Sequence, residues 1–169
     1  NAAGTFSLAG DLSATGNITL SDAVTVAGSG ATRTITSTSG NVAFGSTVNG
    51  PASLVASAAN GAVTFAGTVG ATTALGSVTV TGPATLSGAS ITTTGAQTYQ
   101  QLTLGANATL ASTGSGTITF NGAVGPAASQ TLTVNTAGAT IFNAAVSGLG
   151  ALTSDAAGTN TLAADLQAA

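Results

Sequence analysis

The chain has 169 residues but only five charged side chains (Asp11, Asp22, Arg33, Asp155 and Asp165), for a net charge of −3. Charged residues make up 3% of it, where an ordinary globular domain has about a quarter. With one cation it cannot neutralise a run of phosphates or hold an anionic bilayer, so nucleic-acid and membrane-surface partners are excluded. Lys, Glu, His, Cys, Met and Trp are absent, which removes soft-metal ligands and imidazole, thiol and amine chemistry.

Taken in order, the chain opens at Asn1 without Met and without a charged-then-apolar leader, which reads as a segment of something longer or a processed product. From there it alternates short apolar–polar runs with turn clusters. "AVTV" (23–26) gives way to "GSGA" (28–31), and "RTITSTSGNVAFGSTV" (33–48) to "NGPA" (49–52). "SLVASAANGAVTFAGTV" (53–69) contains the turn "AANGA" (58–62). "SVTV" (77–80), "QLTL" (101–104), "GTITF" (116–120) and "TLTV" (131–134) follow, with "TGSG" (113–116) leading into "GTITF". Alternation over four to six positions predicts half-buried strands, which the branched Thr and Val side chains suit. Gly, Asn and Ser between the runs supply turn conformations. Ala is abundant but does not recur at helical spacing, and no apolar run approaches the roughly 18 residues of a membrane helix.

The chain repeats itself. "RTITSTSGNVAFGSTV" returns as "ATLASTGSGTITFNGAV" (108–124), with Thr34 on Thr109, Gly40 on Gly116, Phe44 on Phe120 and Ser115 as one extra residue, predicted to sit in the turn. Residues 53–69 return as "TLTVNTAGATIFNAAV" (131–146), and "TGNITL" (15–20) as "TGAQTY" (94–99). The start, "AAGTFSLAGDL" (2–12), matches "AAGTNTLAADL" (156–166) at an offset of 154, twice 77. The chain therefore divides into repeat copies at 1–77 and 78–154 and the start of a third at 155–169, within a single solenoid segment spanning 1–169. Within each copy Leu8, Val26, Phe44, Phe65, Leu86, Leu104, Phe120, Phe142 and Leu162 close successive runs at spacings of 16 to 22. That beat predicts about eight coils of about 19 residues.

A sandwich repeat would expose polar outer faces carrying Lys and Glu. Near-identical beats favour an all-β parallel solenoid in which each coil stacks on the next at about 4.8 Å, giving a rod of roughly 40 Å. Equivalent residues then form ladders, with Leu8, Phe44, Phe65, Leu86, Phe120, Phe142 and Leu162 the expected inner one. Charges are avoided because like charges in successive coils would repel.

The stretch 92–138, with its "TGAQTY", "LTV-N-TAG" and "TF-GAV" phrases, resembles the repetitive shafts of large bacterial exoproteins, the filamentous-haemagglutinin-like and autotransporter-type adhesins. The resemblance implies a right-handed parallel β-helix, an extracellular or cell-surface location, and a structural or adhesive role. Expected partners are further copies of the coil, stacked end to end or continued in the chain, with other surface proteins or glycans as candidates. Nucleic acid and membrane insertion are not expected.

No catalytic residue, metal ligand or cofactor site is expected. Ser and Thr hydroxyls abound, but with no His, Lys or Glu no nucleophile finds a base. Asp11 and Asp165 occupy one place in the repeat and are expected to make local turn bonds. Asp155 and Asp165 could share a coil, yet no calcium-solenoid nonapeptide surrounds them. Arg33 either faces solvent or pairs with Asp22. The triplets at Asn17 and Asn107 fit the glycosylation pattern but read better as turn asparagines. Tyr99, in the place of Leu20, is expected to fill the interior. A threonine-rich ice-binding face is the alternative function, which would need Thr-x-Thr at one register in every coil. A transmembrane barrel would need aromatic girdles and a charged lumen that this composition lacks.

Overall fold

The computed structural model describes residues 4–88, 90–154 and 157–167. Among them every regular element is a β-strand, and the strands stack in parallel into a solenoid of about eight turns. Each turn contributes to three faces. The first holds β2 (Leu12–Ala14), β5 (Thr32–Ser37), β8 (Ser53–Ala58), the first half of β10 (Val78–Leu86), the first half of β12 (Gln97–Leu104), β14 (Ile118–Phe120), β17 (Ala139–Phe142) and β20 (Thr159–Leu162). The second holds β3 (Ile18–Leu20), β6 (Val42–Phe44), β9 (Val63–Phe65), the second halves of β10 and β12, β15 (Val124–Pro126), β18 (Val146–Ser147) and β21 (Leu166–Gln167). The third runs from β1 (Thr5–Leu8), β4 (Ala23–Val26) and β7 (Val48–Asn49), through a bridge at Val69, to β11 (Ser90–Thr93), β13 (Ala108–Ser112), β16 (Thr131–Thr136) and β19 (Ala151–Ser154).

Alternation puts one side chain in and the next out, so each face has an inward ladder. On the first face it reads Leu12, Ile35, Ala56, Val80, Tyr99, Phe120, Phe142 and Leu162. On the second it reads Leu20, Phe44, Phe65, Leu86 and Leu104. On the third, Val24, Val48, Val69, Ile91, Leu110 and Val134 are in register. Phe44 and Phe65 stack with ring centroids 4.9 Å apart and planes 2° from parallel. Phe120 and Phe142 do the same at 4.6 Å and 5°. The parallel ladder imposes this geometry, since identical residues one coil apart superpose at the strand spacing.

Two expectations are corrected. The residues Leu8, Phe44, Phe65, Leu86, Phe120, Phe142 and Leu162 do not form one ladder. Leu8 lies on the third face against Val26, Phe44, Phe65 and Leu86 on the second, and Phe120, Phe142 and Leu162 on the first. All are buried except Leu162, which is 47% exposed because no coil covers the last described turn. The coil is also longer than the beat implied. Paired residues lie 18 to 24 positions apart, as in Leu86 with Leu104 and Ala56 with Val80, and most often about 21. The beat came out near 19 because its steps from Val26 to Phe44 and from Leu104 to Phe120 pass from one face to another and cover only part of a turn.

A 77-residue repeat on a 21-residue coil spans about three and two-thirds turns, so equivalent phrases fall on different faces. Residues 33–48 and 108–124 each give three successive strands, β5–β6–β7 and β13–β14–β15. The first trio begins on the first face, the second on the third. Phe44 on the second face therefore corresponds to Phe120 on the first, and Leu54 on the first to Leu132 on the third. Ser115, the extra residue, lies in the turn before β14 with a positive φ of 64°.

The corner chemistry travels with the phrase. Ser37 Oγ donates to Gly16 O at 2.8 Å and accepts from Gly40 N at 2.9 Å. One face away, Ser112 Oγ donates to Gly95 O at 2.9 Å and accepts from Gly116 N at 2.8 Å. Thr136 repeats the pattern with Gly116 O and Gly138 N. Glycine is required at Gly116 because a Cβ there would press into the backbone of Gly95 in the coil below.

Candidate functional site

The polar side chains with any capacity for recognition sit mainly at the turns, and their bonds run between coils. Asp11 Oδ1 accepts from Thr34 N at 2.8 Å, 23 residues on, and Asp22 Oδ1 from Gly4 N at 3.3 Å, 18 residues back. The local turn bonds expected of Asp11 are thus replaced by a bond to the next coil. The asparagines do the same. Asn17 Oδ1 accepts from Asn41 N, Asn41 Oδ1 from Ala62 N, Asn49 Oδ1 from Thr72 N and Asn107 Oδ1 from Thr131 N, at 2.8 to 3.0 Å. Each supplies an acceptor where the neighbouring coil presents a backbone N–H, extending the ladder through a turn. Asn17 and Asn107, the two glycosylation triplets, are both used in this way.

Arg33 neither reaches outward nor pairs with Asp22. It occupies an inward register, opposite Leu54 of the next coil. Its Nε donates to Ala27 O at 2.9 Å, and the guanidinium lies over Gly28, whose φ is +98°. The sole cation closes the turn that precedes its own strand. Asp165 accepts from Val146 N through its backbone carbonyl, and Asp155 lies outside the described residues. Residues 34–154 carry no charged side chain.

The outward threonines run in files along the faces, and on the first face Ser13, Thr36, Ser57 and Thr81 form a second file beside the longer one. The first face presents Thr34, Val55, Thr79, Thr98, Thr119, Ile141 and Thr161 in register. The second presents Thr19, Ala43, Thr64, Thr85, Thr103 and Gly125. On the third, Ser90, Thr109, Thr133 and Thr153 run beside Thr92, Ala111 and Asn135. A flat ice-like grid needs two unbroken ranks side by side, and Val55, Ala43, Ala111 and Asn135 interrupt each candidate.

The interior holds one polar group of a kind the sequence did not announce. Tyr99 is wholly buried, and its hydroxyl donates to Gln97 Oε1 at 2.8 Å. Gln97, also wholly buried, donates through Nε2 to Ala111 O at 2.8 Å and to Thr93 Oγ1 at 3.1 Å. Burial pushes the Tyr99 phenol well above the usual tyrosine range. Among the described residues no buried side-chain polar atom lacks a partner. Tyr99 lies inside, as its place opposite Leu20 in the repeat predicts, but sequence reasoning misses Gln97 and Thr93. The signal is present in "TGAQTY" against "TGNITL", where Gln97 takes the inward place of Ile18.

At the last turn, Phe142, Leu152, Ser154, Asn160, Thr161 and Leu162 line a cavity of about 150 Å³. Its walls are the inner surface of the solenoid where the ladder runs out, and no titratable group lines it. No family model, curated protein or solved structure matches the chain.

Proposed function

We propose that the chain is a shaft segment of a bacterial surface adhesin or filament, extracellular in location, giving length and rigidity and carrying out no chemistry of its own. The observation that carries this reading is the continuous parallel stacking of all three faces from the first described strand to the last. A body built this way grows along one axis only, and each added coil lengthens it without changing its cross-section. Backbone ladders and a narrow Val, Leu, Ile, Ala and Phe core resist bending. The stretch 34–154 without charge suits coils that must superpose many times over. Further coils, continued in the chain or contributed by other copies, are the favoured partners, because a parallel coil offers the next one the same backbone ladder and the same narrow apolar interior. Other surface proteins and glycans are candidate ligands of the modules such a shaft would carry. The resemblance of residues 92–138 to exoprotein shafts supports the cell-surface location.

The test is electron microscopy of one, two and four tandem copies of residues 1–154. Straight particles of constant width, lengthening by about 4.8 Å per added coil, are expected. Globular or randomly bent particles whose length does not follow the coil number would refute the shaft.

A further inference from the structure

The three faces differ on the outside. On the first, the outward file Thr34, Val55, Thr79, Thr98, Thr119, Ile141 and Thr161 is branched at Cβ in every place. It is a continuous ridge of methyl groups, because Val55 and Ile141 interrupt its hydroxyls but not its shape. The shorter file of Ser13, Thr36, Ser57 and Thr81 runs along one side of it, and Thr32 and Ser53 stand in register on the other. The outward file of the second face has gaps at Ala43 and Gly125. The third face is broken between Val69 and Leu75, where Ala71, Thr72 and Thr73 stand exposed in a loop.

Two features say what fits the first face. One is charge. All five charged side chains lie in residues 11–33 and 155–165, so from Thr34 to Ile141 nothing on the ridge repels a like surface. Charge is what ordinarily keeps exposed sheet faces from pairing with their own copies. Phosphate-bearing partners find no cation there, and a sugar ring finds no aromatic in the outward files to stack on. The other feature is period. The ridge repeats at the strand spacing of about 4.8 Å along the rod. A partner that meets it rung for rung needs the same repeat over the same length, and a second copy of this chain has both. Facing sheets of equal repeat interdigitate their side chains in a dry contact.

We propose that the first face is a lateral docking surface for a second copy of the chain, with the two ridges interleaved about a two-fold axis. The contact lies along the side of the rod, so it goes beyond length and rigidity to how rods pair, and its failure would leave the shaft reading standing. Five residues wide and seven strands long, the face measures about 16 Å by about 34 Å. Two copies then bury about 1,000 Å² in total, the lower limit of a specific interface. One segment therefore pairs weakly and reversibly, and each coil added to both partners strengthens the contact.

Thr98 is the middle member of the ridge, so it lies opposite its own copy in any two-fold pairing that overlaps the faces fully. The test is sedimentation equilibrium of the whole chain from micromolar to millimolar concentration, with the melting temperature of each protein recorded. The parent should show a reversible monomer–dimer equilibrium. Thr98→Lys and Thr98→Glu should each weaken it about tenfold or more while melting within a few degrees of the parent. Their equimolar mixture should recover it as a heterodimer, which a folding defect could not do. Thr103→Lys and Thr103→Glu, on the second face, should each dimerise as the parent does. Methyl NMR of the parent on dilution needs no substitution: Val55 and Ile141 should shift, and Thr64 and Thr103 of the second face should not. A parent that stays monomeric at millimolar concentration would overturn the docking face, as would binding of a neutral polysaccharide there in place of a second copy. Equal loss from both faces, or loss without recovery on mixing, would overturn it too. Loss from neither face would place the association at the ends of the rod and overturn it equally.

Discussion

Tyr99 gives the clearest case for single-residue physics. In the unfolded chain its phenol titrates at the ordinary value of 10.0, whereas in the folded chain burial holds the proton to higher pH, because the phenolate would be stripped of water. Below about pH 10 both states carry the proton, and the stability it contributes is fully present. Above that, the unfolded state binds fewer protons than the folded one, so stability falls as pH rises, by up to about 1.4 kcal/mol per pH unit. Urea denaturation between about pH 8 and pH 12 should show this decline in the parent, with no phenolate absorbance until the chain unfolds. Tyr99→Phe should lose the decline while keeping a constant offset from the unpaired Gln97 Oε1. An equal decline in both proteins would assign it to another cause. The same scale shows what a linear reading misses. The carboxylate of Asp11 bonds Thr34, 23 residues away in sequence but adjacent across the coil, and a turn residue's composition indicates the need for an acceptor without naming the N–H that uses it.

At the scale of the strand, alternation carried the reading well. "AVTV" at 23–26 is β4, "GTITF" ends in β14 and "TLTV" opens β16, with Val24 and Val26, Ile118 and Phe120, and Leu132 and Val134 buried. The faces were not legible, since all three draw on the same Val, Leu, Ile, Phe and Thr, and nothing in Phe44 or Phe120 alone says which wall it joins. Corners were also hidden where strands run through them. β10 turns at Gly82, with φ +105°, and continues from the first face onto the second as one strand. The absence of charge is itself a strand-level property and can be tested. Thr98 and Thr119 face outward in register on adjacent strands, about 5 Å apart. Thr98→Lys or Thr119→Lys alone should cost about 0.5 kcal/mol or less. Together they should cost about 1 kcal/mol beyond the sum, measured as a double-mutant cycle at low salt, and lose most of that excess in about 1 M salt. Additive costs at low salt would remove ladder repulsion as the reason charges are missing.

For the whole molecule, the sequence period and the coil period do not match, and this mismatch decides how the repeat is used. Each copy re-enters the solenoid one face away from its predecessor, so the phrase makes the same strands, hydroxyl corners and glycine turns against different walls. Local sequence therefore specifies the strand and its corner, while stacking specifies the wall. If so, a whole repeat can be removed and the remaining chain will rethread. Deleting residues 34–108 joins Arg33 to Thr109 and puts Thr109 in the place of Thr34. β14 then follows the path of β6, from the first face to the second, and Phe120 stacks on Leu20 as Phe44 does in the parent. Thr19 and Thr119, which lie on different faces in the parent, become partners as Thr19 and Ala43 are now. With cysteine at 19 and 119, the shortened chain should form an intramolecular disulfide and keep a parallel-β circular dichroism spectrum. The full-length chain with the same two cysteines should form none. A shortened chain that folds without the link would show that walls are fixed by more than stacking, and one that does not fold would show that the copies are not interchangeable.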